Sequence, residues 1–326
     1  MIRIAVLIAL TTLLAQDGVT TGTCRSKPLP GAAKELARFE LPPEPFAWTL
    51  KPNPAGGERA FTLTFPSAVT GTTTENDTVT CRVWMPKDNT PSPRPGVVLL
   101  HYLRSPTFKP MEDAAKYFAM KGFVAVLVFM PYYGPRAAAD PAAKREMISD
   151  NVEGTVANFR QAVLDFRRAG DWLRSQKGVD PSRIGLFGVS LGSIVGSLVA
   201  GADLRFSRSV FVVGGGDLPA IVLHESRETK EMRKKLLDTG WTSEKLATAL
   251  APIEPLGVAG RLDPSNVLLI NATEDQVVPK ECTEKLCAAM GGPRLRWIKA
   301  NHYTIALSLL EILKIAADHL AERPSA

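Results

Sequence analysis

The sequence predicts an α/β protein in which helices cover both faces of a mostly parallel central sheet. Several short runs are apolar at every position, and strands buried on both faces are typical of parallel sheets. Longer stretches with apolar residues at helical spacing alternate with these runs, which favours crossover connections. The apolar runs lie at 97–100, 123–129, 184–187, 210–213 and 267–270.

The remaining strands and helices follow from the period of the apolar residues. Residues 59–65 and 78–85 alternate between polar and apolar, which is the period of a half-buried strand. Residues 295–298 also have the character of a strand. Helices are predicted where apolar residues recur at helical spacing, namely at 111–120, 151–175, 193–200 and 305–320.

A segment at about 217–261 interrupts the alternation and is predicted to be a small helical insertion. It holds a highly charged stretch at 224–238 and a second candidate helix at 243–250. Two interpretations stay open. The insertion is either a lid over a site or a solvated helix pair packed on the edge of the fold.

The N-terminal part of the chain indicates export. Arg3 precedes an apolar run at 4–14, which is too short to span a bilayer and is typical of a secretory signal. We therefore predict a signal peptide at 1–17 and a periplasmic or secreted protein; an uncleaved buried strand or a membrane anchor is the alternative. Residues 18–57, rich in Pro and Gly, are predicted to be an irregular lead-in to one domain at 58–326.

Four cysteines agree with export without proving it. An oxidising compartment permits two disulfides, and the pairs Cys24–Cys81 and Cys282–Cys287 are the first choice. Four unpaired thiols are the alternative. Their spacing does not fit a C-x-x-C metal or redox site.

The composition and the motifs exclude several other classes. With 45% apolar residues the chain is not of the disordered class, and its net charge of +6 is spread without a run of five basic residues. We therefore expect no nucleic-acid partner. Neither a phosphate-binding loop nor a metal-binding motif such as H-E-x-x-H occurs, so we expect no cofactor and no metal. Beyond the N-terminal signal, we expect no membrane span.

The sharpest motif is Gly188-Val189-Ser190-Leu191-Gly192, which lies between a predicted strand and a predicted helix. A serine on such a sharp strand-to-helix turn takes a strained backbone conformation. Glycines two positions before and after leave room for the backbone crossing. This context predicts that Ser190 is a nucleophile; a bystander serine in a Gly-rich turn is the alternative.

A nucleophilic serine needs a base and an orienting carboxylate. His302 follows a predicted strand and precedes the last helix, so we predict it as the base over His101, His224 and His319. Asp275 lies in an acidic turn after an apolar strand, and we predict it as the carboxylate. Asp217, at the end of the preceding strand, is the alternative acid.

An oxyanion hole requires two backbone N–H groups. One is predicted at Leu191, directly after the nucleophile, and the other at Tyr102 or Leu103 in the loop after the strand at 97–100. In the same loop, Arg104 either contacts substrate or is solvated. Three residues after the next strand are candidates to line the substrate pocket or to pack under their loop, namely Tyr132, Tyr133 and Arg136.

Residues 78–320 resemble the α/β-hydrolase superfamily, and within it the dienelactone-hydrolase-like and peptidase-like serine hydrolases. The similarity rests on the Val-Val-Leu-Leu-His strand end at 97–101, the Ser190 turn, Asp-Gln-Val-Val-Pro at 275–279 and Asn-His-Tyr at 301–303. The resemblance implies an α/β-hydrolase fold and the chain order Ser190, Asp275, His302. Dienelactone hydrolases proper use cysteine, so the serine favours ester chemistry.

The resemblance implies a carboxylesterase-like serine hydrolase that forms an acyl-enzyme with a small-molecule ester or thioester. A thioesterase or a small acyl-peptidase would use the same three residues. A binding protein that kept the fold and lost catalysis is the competing class.

Overall fold

In the computed structural model of the chain, residues 18–29, 34–71, 73–87, 89–104 and 107–323 are described. The predicted signal peptide at 1–17 lies outside them. Within the described ranges, ten strands form one sheet: β1 Thr20–Arg25, β2 Pro45–Pro52, β3 Ala60–Pro66, β4 Thr78–Trp84, β5 Arg94–Leu100, β6 Val124–Val128, β7 Val179–Val189, β8 Ser209–Val212, β9 Val267–Ala272 and β10 Arg294–Ile298.

The helices of the same ranges surround this sheet. They are α1 Thr74–Asp77, α2 Lys109–Met120, α3 Val152–Ser175, α4 Leu191–Ala202, α5 Leu218–Leu223, α6 Lys230–Asp238, α7 Ser243–Leu250, α8 Leu256–Ala259, α9 Lys280–Ala289 and α10 Leu309–Ala321. None of these helices is both long enough and apolar enough to cross a bilayer.

The strand order is β1-β2-β3-β4-β6-β5-β7-β8-β9-β10. Strands β1 to β4 are antiparallel to their neighbours, and β4 also pairs antiparallel with β6. From β6 to β10 all pairs are parallel, so these six strands end at the same edge of the sheet. The predicted mostly parallel sheet with flanking helices is confirmed.

The core consists of two apolar layers, one on each face of the sheet. Helices α3 and α4 pack on what we call the first face, where Val98 and Leu186 point. Helices α2 and α10 pack on the second face, where Val97 and Phe187 point. Because both faces are buried, the central strands are apolar at every position, which is why they were recognisable in the sequence.

The predicted irregular lead-in at 18–57 is wrong. It contributes β1 and β2, which extend the sheet beyond β3. As an edge strand, β1 has Cys24 as its single buried residue, so its apolar residues show no clear period. Residues 217–261 contain the helices α5 to α8.

The predicted disulfides are also wrong, because all four cysteines are free. Cys24 lies on β1 and Cys81 on β4, with β2 and β3 between them. Three strand spacings of about 4.8 Å exceed the reach of a disulfide. Cys282 and Cys287 are five positions apart on α9 and therefore point in different directions around the helix.

Candidate active site

Ser190 occupies the sharp turn between β7 and α4. Its φ of 54° and ψ of −117° are a conformation that L-residues rarely adopt. A Cβ atom on Gly188 would overlap the carbonyl of Gly192, and one on Gly192 would overlap the carbonyl of Leu100. Both glycines are therefore required by close backbone approach, as the motif predicted.

Neighbouring backbone groups hold the turn in place. The Ser190 N–H donates to the carbonyl of Val212 on β8, at 2.8 Å. The buried hydroxyl of Ser193 lies 2.9 Å from the carbonyl of Gly188 and 2.6 Å from that of Val212. Sequence reasoning missed Ser193, although its position three residues after the nucleophile, on the opening turn of α4, is a usable signal.

His302 and Asp275 form a hydrogen-bonded chain with Ser190. The Oγ of Ser190 lies 2.9 Å from Nε2 of His302, and Nδ1 of His302 lies 2.8 Å from Oδ2 of Asp275. The N–H groups of Val277 and Val278 donate to Oδ1 of Asp275 at 2.8 and 2.9 Å. These donors fix the orientation of the carboxylate.

The topology brings these residues together, although Ser190 and His302 are 112 positions apart. Ser190 follows β7, Asp275 follows β9 and His302 follows β10. These three strands end at one edge of the sheet, with β8 between β7 and β9. A proton can pass from Ser190 to His302, and the Asp275 carboxylate can stabilise the imidazolium that results.

Asp217, the alternative acid, is engaged elsewhere. It caps α5 by accepting from the N–H of Ala220 at 3.2 Å, and it forms an ion pair with Lys285. Its own N–H donates to Glu254. His319, which was not chosen as the base, is buried, and its Nε2 lies 3.2 Å from the carbonyl of Asn266.

His101 fixes the loop that follows β5. Its Nε2 accepts the N–H of Met130 at 3.1 Å, so Nδ1 carries the proton and donates to the carbonyl of Tyr102 at 3.0 Å. The ring is fully buried, and burial lowers the pKa of His101 to about 4. His101 is therefore a neutral link between the loops after β5 and β6.

The predicted oxyanion-hole residues lie at one cavity. Leu191 is the first residue of α4, where backbone N–H groups have no partner within the helix. Tyr102 and Leu103 line the same cavity, beside Ser190 and His302. The cavity has a volume of about 760 Å³, and most of its wall is apolar.

The predicted pocket role of Tyr132, Tyr133 and Arg136 is wrong, since none of the three lines this cavity. Tyr132 has φ 68° and the next residues form a tight 3₁₀ turn, which directs the loop inward. Arg136 is fully buried and pairs with Asp165 at 2.8 Å. The hydroxyl of Tyr133 accepts the N–H of Arg104 at 3.0 Å and so supports the loop after β5.

Arg104 does line the cavity, at its rim. Its guanidinium donates to the carbonyl of Glu228 at 3.3 Å and to the carboxylate of Glu146 at 3.4 Å. The hydroxyl of Tyr303 bonds to the Glu228 carboxylate. Desolvation, and after it this bond, raises the pKa of Tyr303 to about 12. Glu228 thus joins the 217–261 segment to the loops of Arg104 and His302; sequence reasoning missed it.

The described ranges contain no cluster of three His, Cys, Asp or Glu side chains that could hold a metal ion. The bonds in this site run between the protein's own side chains and backbone.

Comparison with known sequences gives a family match in the region of the site. The sequence model of the prolyl oligopeptidase family matches residues 156–302, which include Ser190, Asp275 and His302. An uncharacterised protein of Mycobacterium tuberculosis is 28% identical over 221 residues. The match covers 65% of this chain and half the length of that relative.

Comparison with solved structures finds proteins with a similar fold. An acetyl xylan esterase from Paenibacillus sp. R4 is similar with a TM-score of 0.60 at 16% identity, over 83% of this chain and 89% of that one. A cold-adapted esterase from an Arctic intertidal metagenomic library has a TM-score of 0.52 at 17% identity, over 85% and 97%. With its mostly parallel sheet, its serine turn and these structural similarities, the chain has the α/β-hydrolase fold.

Proposed function

We propose that the chain is a serine hydrolase that cleaves carboxylic esters through Ser190, His302 and Asp275. The observation that carries the proposal is the continuous chain of hydrogen bonds from Ser190 Oγ through the His302 ring to Asp275. A serine hydroxyl becomes an effective nucleophile when a base accepts its proton. The distance of 2.9 Å between Ser190 Oγ and His302 Nε2 supports His302 as that base.

In the acylation step, Ser190 Oγ attacks the carbonyl carbon of the ester and His302 Nε2 accepts the hydroxyl proton. Asp275 holds the ring in the tautomer that leaves Nε2 free and stabilises the imidazolium. The N–H of Leu191, with that of Tyr102 or Leu103, donates to the oxyanion. The carbon–oxygen bond to the alcohol then breaks, and the alcohol leaves with the proton from His302.

In the second step, water hydrolyses the acyl-enzyme. His302 accepts a proton from the water, and the hydroxide attacks the acyl carbon. The bond to Ser190 Oγ breaks, Oγ regains a proton from His302, and the acid is released. No group beyond these side chains and backbone amides is needed to balance either step.

Thioester and acyl-peptide cleavage would use the same residues. The match to the prolyl oligopeptidase family favours peptide cleavage as the second candidate. The esterases among the similar solved structures agree with ester cleavage, although at 16–17% identity they are similar in fold alone.

The test is hydrolysis of a p-nitrophenyl ester, an acyl thioester and an acyl-peptide anilide by the purified chain. We expect the ester to have the highest kcat/KM. Ser190→Ala is expected to lower kcat by roughly 10⁴-fold or more, the order seen when such a residue is removed from other serine hydrolases. Ester hydrolysis that survives in Ser190→Ala would overturn the proposal.

The two aspartates provide a matched comparison. Asp275→Asn removes the charge that stabilises the imidazolium, and we expect kcat to fall by roughly 10³-fold or more. Asp217→Asn keeps a good helix cap and lies outside the hydrogen-bonded chain, so kcat should stay within about twofold. An equal loss in both variants would contradict the assignment of Asp275.

A further inference from the structure

The cavity beside Ser190 extends over both faces of the sheet. Its wall on the first face, which we call the first wall, belongs to the apolar layer under α3 and α4; it consists of Phe159, Ile194, Leu218, Ile221, Leu250 and Ile253. Its wall on the second face, the second wall, belongs to the layer under α2 and α10; it consists of Met111, Phe187, Val212, Val213, Ile305 and Ile312.

The reacting groups lie between the two walls. The sheet lies between the two walls. Ser190 directly follows the last residue of β7, a strand of this sheet. A substrate whose carbonyl carbon is at Ser190 Oγ therefore has one wall on either side. An ester has two substituents at its reacting centre, the acyl group and the alcohol, and each has an apolar wall available.

Several polar groups in the lining are engaged with protein partners. The hydroxyl of Thr155 bonds to the carbonyl of Ser149, and that of Thr229 bonds to the carbonyl of His224. The charged side chains of Arg104, Arg227 and Glu228 also line the cavity. The Arg104 guanidinium donates to the carbonyl of Glu228, and the Glu228 carboxylate bonds to the hydroxyl of Tyr303. A polar or charged substituent placed against either apolar wall would lose its water without gaining a partner, which is unfavourable.

We propose that the substrate is an ester with apolar groups of about four carbons or more on both sides of the scissile bond. This inference rests on the proposed ester hydrolysis and adds the class of substrate. The ester and one water are consumed, and an apolar carboxylic acid and an apolar alcohol are released. A volume of about 760 Å³ is in the range of cavities that hold drug-sized ligands.

The test uses two series of esters in which one substituent is lengthened at a time. The acyl series consists of p-nitrophenyl acetate, butyrate and hexanoate, and the alcohol series of ethyl, butyl and hexyl butyrate. Burial of one methylene raises kcat/KM by about fourfold at most. We expect kcat/KM to rise at least roughly tenfold from the shortest to the longest member of each series.

Two variants each reduce the space beside one wall by placing a larger side chain at a partly exposed lining residue. Val222→Trp fills space beside the first wall, and Leu309→Trp fills space beside the second. Each is expected to reduce the long-to-short ratio of one series to within about threefold while the other series keeps its ratio. Leu237→Trp, on an exposed position of α6 outside the cavity, is the control and should change neither ratio.

A ratio that stays flat in either series, in an enzyme that hydrolyses the short esters through Ser190, would overturn the inference and leave ester hydrolysis intact. The absence of any Ser190-dependent ester hydrolysis would overturn the proposed function itself. A rise in both series that Val222→Trp and Leu309→Trp leave unchanged would contradict the assignment of the walls.

Discussion

The strained backbone of Ser190 determines where its hydroxyl lies. Its positive φ lifts the side chain off the end of β7, and the bond from its N–H to Val212 holds that conformation. The G-x-S-x-G motif was sufficient to predict this turn, because the two glycines answer a steric demand that no other residue satisfies. The roles of Ser190 and His302 were therefore accessible from the sequence as predictions.

Gly192→Ala tests the steric argument. The added methyl group would overlap the Leu100 carbonyl, and backbone atoms cannot move aside cheaply. We expect a loss of roughly 1–3 kcal/mol in the free energy of unfolding, typical of overpacking, together with loss of ester hydrolysis. Urea unfolding measures the first effect.

The control for this prediction is Gly257→Ala. Gly257 lies in α8 with open space where its Cβ would be, so alanine should be neutral or stabilise by up to about 1 kcal/mol. Equal stability of Gly192→Ala and the unsubstituted chain would show that the close approach at the turn is relaxed.

Other residues could not be placed from the sequence because the direction of a side chain after a turn depends on φ and ψ. Arg136 was a reasonable pocket candidate by position, yet the turn directs it into the interior, where it bonds to the carbonyls of Phe129 and Asn76. Its ion-pair partner, Asp165, lies on α3, a separate element later in the chain. No local pattern encodes such a pair.

At the scale of elements, burial decided what the sequence could predict. The parallel strands β5 to β9 have helices on both faces, so their continuous apolar runs were visible. Strand β1 pairs on one side only, and its sequence shows little alternation of polar and apolar residues. It was therefore missed. Helix α3, with Asn151 as its N-cap, was predicted almost to its ends because it is long and amphipathic.

The link between the loops after β5 and β6 makes stability depend on pH. His101 has a folded pKa of about 4 against an ordinary value of about 6.5, so the unfolded chain binds more protons between these values. Stability therefore falls as the pH falls through this window, by about 2 kcal/mol from this group between pH 7 and pH 5.

This prediction is tested by urea unfolding at pH 7 and pH 5. His101→Gln keeps an acceptor for the Met130 N–H and does not titrate in this range, so its pH dependence should be weaker by about 2 kcal/mol. His319, whose pKa burial also lowers, contributes equally to both chains. An identical pH dependence in the two chains would show that His101 is charged or exposed when folded.

At the scale of the whole molecule, one sheet edge collects groups that are distant in the chain. Parallel strands end on the same side, so residues that follow β7, β9 and β10 meet without any local signal connecting them. Because the fold class implies this shared edge, predicting the fold also predicted that the three residues of the hydrogen-bonded chain lie together. The extent of the cavity was not predictable, because it depends on how α5, α6, α7 and α10 lie over that edge.

The most direct test of the account is covalent labelling of the purified chain with a fluorophosphonate, followed by mass spectrometry of the labelled peptide. We expect one adduct, on Ser190, that is absent in Ser190→Ala and strongly reduced in His302→Ala, while Leu237→Trp is labelled normally. A folded chain that is not labelled, or labelling of equal extent in His302→Ala, would contradict the claim that His302 activates Ser190.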